Sequence, residues 1–248
     1  MSVNKIAIFV EGQSELVFIR NLLRQLFDNS SIVFDCIKLH GSQTVDIPYK
    51  HCPPEPTAYF QIINVENDSK VLSAIKEREQ KLFQNGFSKI IGLRDMYSKE
   101  YRKRVEGCIN DEVNNKFVES HDNVISFMSS PEKISFHFSI MEIEAWWLGM
   151  ETLFEKVDSR LNSQFIGEYL DFFLESIDPE TSFFHPAETL KQILALVNIP
   201  YDKKLGQVES ITSKISIEDV ETLLRTEKCA SFKKFYESLL SSTGDEKE

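Results

Sequence analysis

The sequence predicts an α/β fold: a mainly parallel sheet flanked by helices, with a helical C-terminal part. Three observations predict it. Over residues 1–150, short apolar runs of β character alternate with segments whose apolar residues recur every three to four positions, the pattern of βαβ units. Beyond Met150 the helical spacing continues alone, broken by Pro179, Pro186 and Pro200. The first apolar run, Lys5-Ile-Ala-Ile-Phe-Val10, ends on Glu11-Gly12, which places one carboxylate at the sheet edge where open α/β folds hold ligands.

After Gly12, the apolar positions Leu16, Phe18-Ile19, Leu22-Leu23 and Leu26-Phe27 predict a helix over roughly residues 14–28, capped by Gln13 or Ser14. Ile32–Leu39 reads as a strand, and residues 40–57, with Gly41, Pro48, Pro53, Pro54 and Pro56, as a loop or insertion. Tyr59–Val65 is strongly β-like. Asn67-Asp-Ser69 then caps a helix carrying Val71, Leu72, Ile75, Leu82 and Phe83, which Gly86 closes. Ser88–Arg94 is a further strand and ends on Asp95. Residues 99–118 are polar with a thin apolar stripe (Val105, Ile109, Val113, Phe117) and predict an exposed helix. Asn123–Met128 reads as a strand, and Phe136–Ile140 runs into a helix through Trp146 and Leu148. The expected organisation is an α/β domain over 1–150, a helical subdomain over 151–240 and a flexible polar tail over 241–248.

At 248 residues and 42% hydrophobic, the chain has enough apolar material for one large core or a core with a satellite. Its N-terminus lacks a signal-peptide layout and its longest apolar runs fall far short of the roughly 20 residues of a membrane helix, so a cytoplasmic protein without membrane contact is expected. Cysteines 36, 52, 108 and 229 form no Cys-x-x-Cys pair and predict neither a zinc site nor a disulfide framework. A net charge of −11 disfavours bulk adhesion to nucleic acid, although the local run Lys99-Glu-Tyr-Arg-Lys-Arg104 and a bridging metal leave such a substrate open. Read by itself, the basic run is a solvated helix face.

Three acidic stations fall at or near predicted strand ends: Glu11 with Glu15, Asp95, and Glu142 with Glu144. Carboxylates converging on one sheet edge make a hard-oxygen site for Mg²⁺ or Mn²⁺, which polarises phosphoryl groups and activates water. Glu15, in the first helical turn, either joins that site or complements the helix dipole. Glu142 and Glu144 share a face only in a strand; in a helix one of the two reaches the site. Trp146 and Trp147 are core residues. His137 and His185 have no Ser or Cys nucleophile in an elbow motif, and there is no P-loop and no Gly-x-Gly-x-x-Gly turn. Triad hydrolysis, P-loop ATP binding and dinucleotide binding are therefore unsupported.

Taken together, Ile6-Ala-Ile-Phe-Val-Glu-Gly-Gln-Ser-Glu15 resembles the opening motif of Toprim domains. It resembles especially the Toprim-like bacterial proteins of unknown function, the domain-of-unknown-function 4276 type, often found beside phage-defence ATPases. Ile90-Ile-Gly-Leu-Arg-Asp-Met-Tyr97 and Phe138-Ser-Ile-Met-Glu-Ile-Glu-Ala-Trp-Trp-Leu148 are similar to the same family. So are His185-Pro-Ala-Glu-Thr-Leu190, Tyr201-Asp-Lys203 and Cys229-Ala-Ser-Phe232. The resemblance spans nearly the whole chain. It implies a Toprim-like sheet in which Glu11 is acid or base in phosphodiester chemistry, with Asp95 also catalytic and Mg²⁺ or Mn²⁺ held by Glu11, Glu15, Asp95, Glu142 and Glu144. The family's Asp-x-Asp is here Asp95-Met-Tyr97, with only the first acid kept. The implied activity is a metal-dependent nuclease on DNA or RNA, an anti-phage effector; the alternative is a non-catalytic binding module that partners an ATPase.

Overall fold

A computed structural model describes residues 3–27, 29–41, 43–67 and 70–242. By their contacts the residues divide into two compact units. The first comprises Met1–Arg94, Asn114–Phe138 and Lys234–Glu248; the second comprises Asp95–Val113 and Ser139–Lys233, and so takes in the helical chain that begins after residue 150.

The first unit is built on a six-stranded sheet, with β1 (Asn4–Val10), β2 (Ile32–His40), β3 (Gln43–His51), β4 (Ala58–Asn64), β5 (Phe87–Asp95) and β6 (Ile134–Ser139) in the order β3-β2-β4-β1-β5-β6. β1 pairs in parallel with both β4 and β5, and β2 pairs in parallel with β4. Ile6 through Val10 are all fully buried, which is why β1 reads as a continuous apolar run and not as an alternation. Helix α1 (Gln13–Leu26) carries the chain from β1 past β4 to β2, and α2 (Val71–Gln84) carries it the opposite way, from β4 past β1 to β5. Right-handed crossovers in opposite directions put their helices on opposite faces. The packing agrees. Val71, Ala74, Ile75 and Leu82 of α2 share one cluster with Ala7, Phe9, Ile37, Leu39 and Ile63, the residues that alternate with Ile6, Ile8 and Ile62. On the other face α1 packs on β4, and the Phe27 ring just beyond it lies tilted against Phe60 at 5.6 Å.

Several sequence expectations are corrected. The proline-rich stretch after His40 is not a loop throughout, because β3 forms there as an antiparallel edge strand. Gly41, at φ +61°, turns the chain so that His40 pairs with Gln43, and Pro48 is tolerated where the ladder shifts register. The strand expected at Asn123–Met128 is the end of α4 (Asp111–Ser126), whose buried face of Asn114, Phe117 and Ile125 outweighs the local β character. The helix expected over 99–118 is split into α3 (Lys99–Arg102) and α4, with Gly107 at φ +75° between them. Helix α1 is capped by Gly12, not by Gln13 or Ser14. Asp28, the Asp68-Ser69 part of the expected cap and most of the expected tail lie outside the described residues.

The second unit holds α5 (Glu144–Gly149), α6 (Leu153–Val157), α7 (Ser163–Leu170), α8 (Pro179–Ser182), α9 (Pro186–Ala195), α10 (Leu205–Thr212) and α11 (Ile217–Arg225), and the start of α12 (Ala230–Ser241). Trp146 and Trp147 are fully buried, as the sequence predicts, and the Trp146 ring stands edge-on to Phe232 at 5.3 Å. Among the described residues, no helix is long and apolar enough to cross a membrane.

Candidate functional site

The opposite departures of α1 and α2 make the gap between β1 and β4 a topological switch point, where loops diverging to opposite faces open a crevice at the carboxyl ends of the strands. In this crevice lies a cleft of about 460 Å³ lined by Glu11, Gly12 and Gln13 after β1 and by Asn64, Glu66 and Asn67 at the end of β4. Register fixes the two walls: Val10 is paired with Asn64, and the Val65 amide donates to the Val10 carbonyl at 2.9 Å. Asn64 is buried, and its Oδ1 accepts from the Glu66 amide at 2.9 Å, which holds Glu66 in the left-handed region (φ +58°). Lys38 pairs with the Glu66 carboxylate. Glu15 folds back over the turn, because a Cβ at Gly12 would lie 3.1 Å from its Oε2. Only glycine at position 12 leaves that carboxylate undisturbed. The sequence pointed to Glu11 and Glu15; it missed Asn64, Glu66 and Asn67, whose signal was the polar Asn64 ending an apolar β run.

The remaining predicted acids belong to the second unit, where they gather around Lys203. Asp95 closes β5, and its Oδ1 accepts from the Ser139 hydroxyl at 2.6 Å and the Ile143 amide at 2.9 Å. Glu144, fully buried at the start of α5, accepts from the Tyr201 hydroxyl at 2.7 Å and from Lys203 Nζ at 3.1 Å. Glu142 accepts from Lys203 at 2.9 Å and from the Ala187 amide at 3.0 Å. Both glutamates reach the lysine because Glu142 precedes α5, next to Met141 at φ +64°, so the 200° separation of a helix does not apply. Burial would lower the Lys203 pKa, but the carboxylates of Glu144, Asp95 and Glu142 outweigh it and hold the ammonium above the ordinary lysine value. Lys203 itself sits at φ +56°, a conformation that a lysine adopts at a cost of about 1 kcal/mol or more. Sequence reading singled out Tyr201 and Lys203 only through resemblance.

Among the described residues, no three His, Cys, Asp or Glu side chains converge as a metal-ligand cluster. In the second unit, Glu142 and Glu144 hold one positive charge, that of Lys203, and Asp95 acts on it as well. His137 packs on Phe235, and burial, followed by the charges of Lys89 and Lys234, pushes its pKa down to about 4.

An open α/β sheet with an acid at its switch point defines a class of ligand-binding architecture, not one chemistry. The family model for a domain of unknown function, DUF4276, matches residues 10–240, and the chain belongs to that family. No curated protein and no solved structure matches the chain.

Proposed function

We propose that the chain is a Toprim-type, metal-dependent nuclease that hydrolyses phosphodiesters of DNA or RNA. The observation that carries this reading is Glu11, a carboxylate delivered by the buried central strand to the switch-point cleft. There it has the position of a group that takes or gives a proton at a bound ligand. Asp95, Glu142 and Glu144 of the second unit would supply oxygen ligands of Mg²⁺ or Mn²⁺. When bound, such an ion polarises a phosphoryl oxygen and lowers the pKa of its water. The resemblance further supports a cytoplasmic role as an anti-phage effector alongside an ATPase partner.

Purified chain incubated with DNA and with RNA in Mg²⁺ or Mn²⁺ should cleave one of them, and Glu11→Gln should lose about 10²-fold or more of that activity. Equal cleavage by both proteins, or none by either, overturns the reading.

One observation favours a second reading, a non-catalytic module that docks an ATPase: Glu142 and Glu144 are already engaged by the Lys203 ammonium. Co-purification with such an ATPase, unchanged in Glu11→Gln and without cleavage, would establish it.

A further inference from the structure

The position where the resemblance calls for a second acid carries an aromatic ring instead, and that ring is built into a surface. Tyr97 follows Asp95 by two residues, and its amide donates to the Met141 carbonyl at 2.8 Å, which fixes the backbone under the side chain. The guanidinium of exposed Arg102 lies over the Tyr97 ring, 5.2 Å from its centroid. His185, exposed, meets the same ring edge-on at 5.0 Å, and half-buried Phe184 meets it at 5.6 Å and His185 at 4.8 Å. Lys99, exposed, shares the short helix α3 with Arg102. The patch borders the acid–lysine network in the same unit, since the Glu142 carboxylate accepts from Ala187, two residues beyond His185.

We infer that Tyr97, Phe184, His185, Arg102 and Lys99 form a stacking platform for single-stranded nucleic acid. The inference deepens the nuclease reading and rests on it for the substrate class. Unpaired bases offer planar faces that stack on aromatic rings and guanidinium groups, and the intervening phosphates pair with Lys and Arg; duplex bases have no free faces. An acidic peptide would satisfy the cations but leave the rings unused. A chain of net charge −11 has no general attraction for phosphates, so binding has to be local, and here cations and rings coincide.

The test is fluorescence anisotropy of the full chain with labelled single-stranded DNA and RNA of about twelve nucleotides, and with a hairpin duplex, in EDTA so that nothing is cleaved. Single strands should bind more tightly than the duplex. Tyr97→Ala should weaken single-strand binding about tenfold, and Tyr97→Phe should leave it unchanged. Arg102→Ala should weaken binding and reduce the slope of log affinity against log salt by about 0.7. Thermal unfolding of each variant separates lost binding from lost fold. The platform is overturned if wild type binds no single strand, if the duplex binds equally well, if Tyr97→Ala binds like wild type, or if polyglutamate competes as well as an unlabelled single strand. Binding in EDTA without cleavage in any metal would sink the nuclease reading alone. Cleavage with Tyr97→Ala binding unimpaired would sink the platform alone.

Discussion

Replacing Lys203 by Met removes the ammonium that pairs with both Glu142 and Glu144 while keeping most of the side-chain volume. Glu144 is fully buried; its Oε1 would keep the Tyr201 hydroxyl, and its Oε2 would lose the ammonium. Breaking a buried ion pair by removing one partner costs about 3–5 kcal/mol. Lys203 keeps 37% of its side chain exposed, so water screens part of the loss, and about 2–3 kcal/mol is the discounted expectation. At roughly 2–4 °C per kcal/mol for a chain of this size, the unfolding midpoint should fall by about 4–12 °C in circular dichroism melts in EDTA. Glu144→Gln in the Lys203→Met background should recover part of the loss, because the amide still accepts from Tyr201 and no longer buries a charge; the double-mutant cycle measures the coupling. Mg²⁺ adds a second arm. If the acids can hold a divalent ion, Lys203→Met should regain stability with rising Mg²⁺ by mass action, and wild type should respond less because its own ammonium competes. A Lys203→Met melt within 1 °C of wild type would refute the claim that the lysine satisfies these acids. An equal, flat response of both proteins to Mg²⁺ would count against these acids as the metal ligands of the proposed nuclease.

Two further expectations follow from packing and titration. At Gly92 in β5 an added Cβ would lie 2.5 Å from Phe136 Cδ2 and 2.8 Å from Ile75 Cδ1, so Gly92→Ala should destabilise by about 1–3 kcal/mol in urea unfolding, and a neutral result would contradict the close packing of that face. Burial pushes the Glu180 carboxyl up to about 7, despite the hydrogen bonds that Ser231 and Trp146 give it. Its folded pKa exceeds the ordinary glutamate value of 4.5, so the native state binds more protons between those values and this group's contribution to stability falls as pH rises from about 4.5 to 7. Glu180→Gln should lose that part of the decline, seen as a smaller difference between urea midpoints at the two ends of the window than in wild type; an unchanged difference would show that the carboxyl titrates normally.

The extent to which this architecture is legible in the sequence depends on how local the deciding contacts are. β1 and α1 are plain because Ile6–Val10 must be apolar on both faces, and because the one-sided spacing of Leu16, Ile19 and Leu23 then has a single meaning. β3 is hidden because its residues are mostly exposed, so the alternation has no buried face to mark it, and Pro48 with the prolines that follow the strand speaks for a loop until the pairing with β2 is known. The end of α4 misleads for the opposite reason: Val124-Ile125 and Phe127-Met128 look like a strand over six residues, and only the buried cluster that Ile125 joins with Ala7, Phe9 and Ile75 decides for helix.

The same distinction separates the acids from what surrounds them. Glu11 was legible because strand end and carboxylate are adjacent in sequence, whereas the cleft it lines depends on strand order, which sets Asn64 beside Val10. The second-unit acids were visible as an acidic cluster, but the residues that determine their state, Tyr201 and Lys203, lie 57 and 59 residues beyond Glu144. No spacing rule reaches that far. Tyr97 makes the point in reverse. Against a family pattern it is a lost ligand; beside Arg102, Phe184 and His185 it is part of an aromatic and basic surface. A departure from a motif counts as a loss only until its new neighbours are known, and here those neighbours have the chemistry to hold a single strand next to the acids.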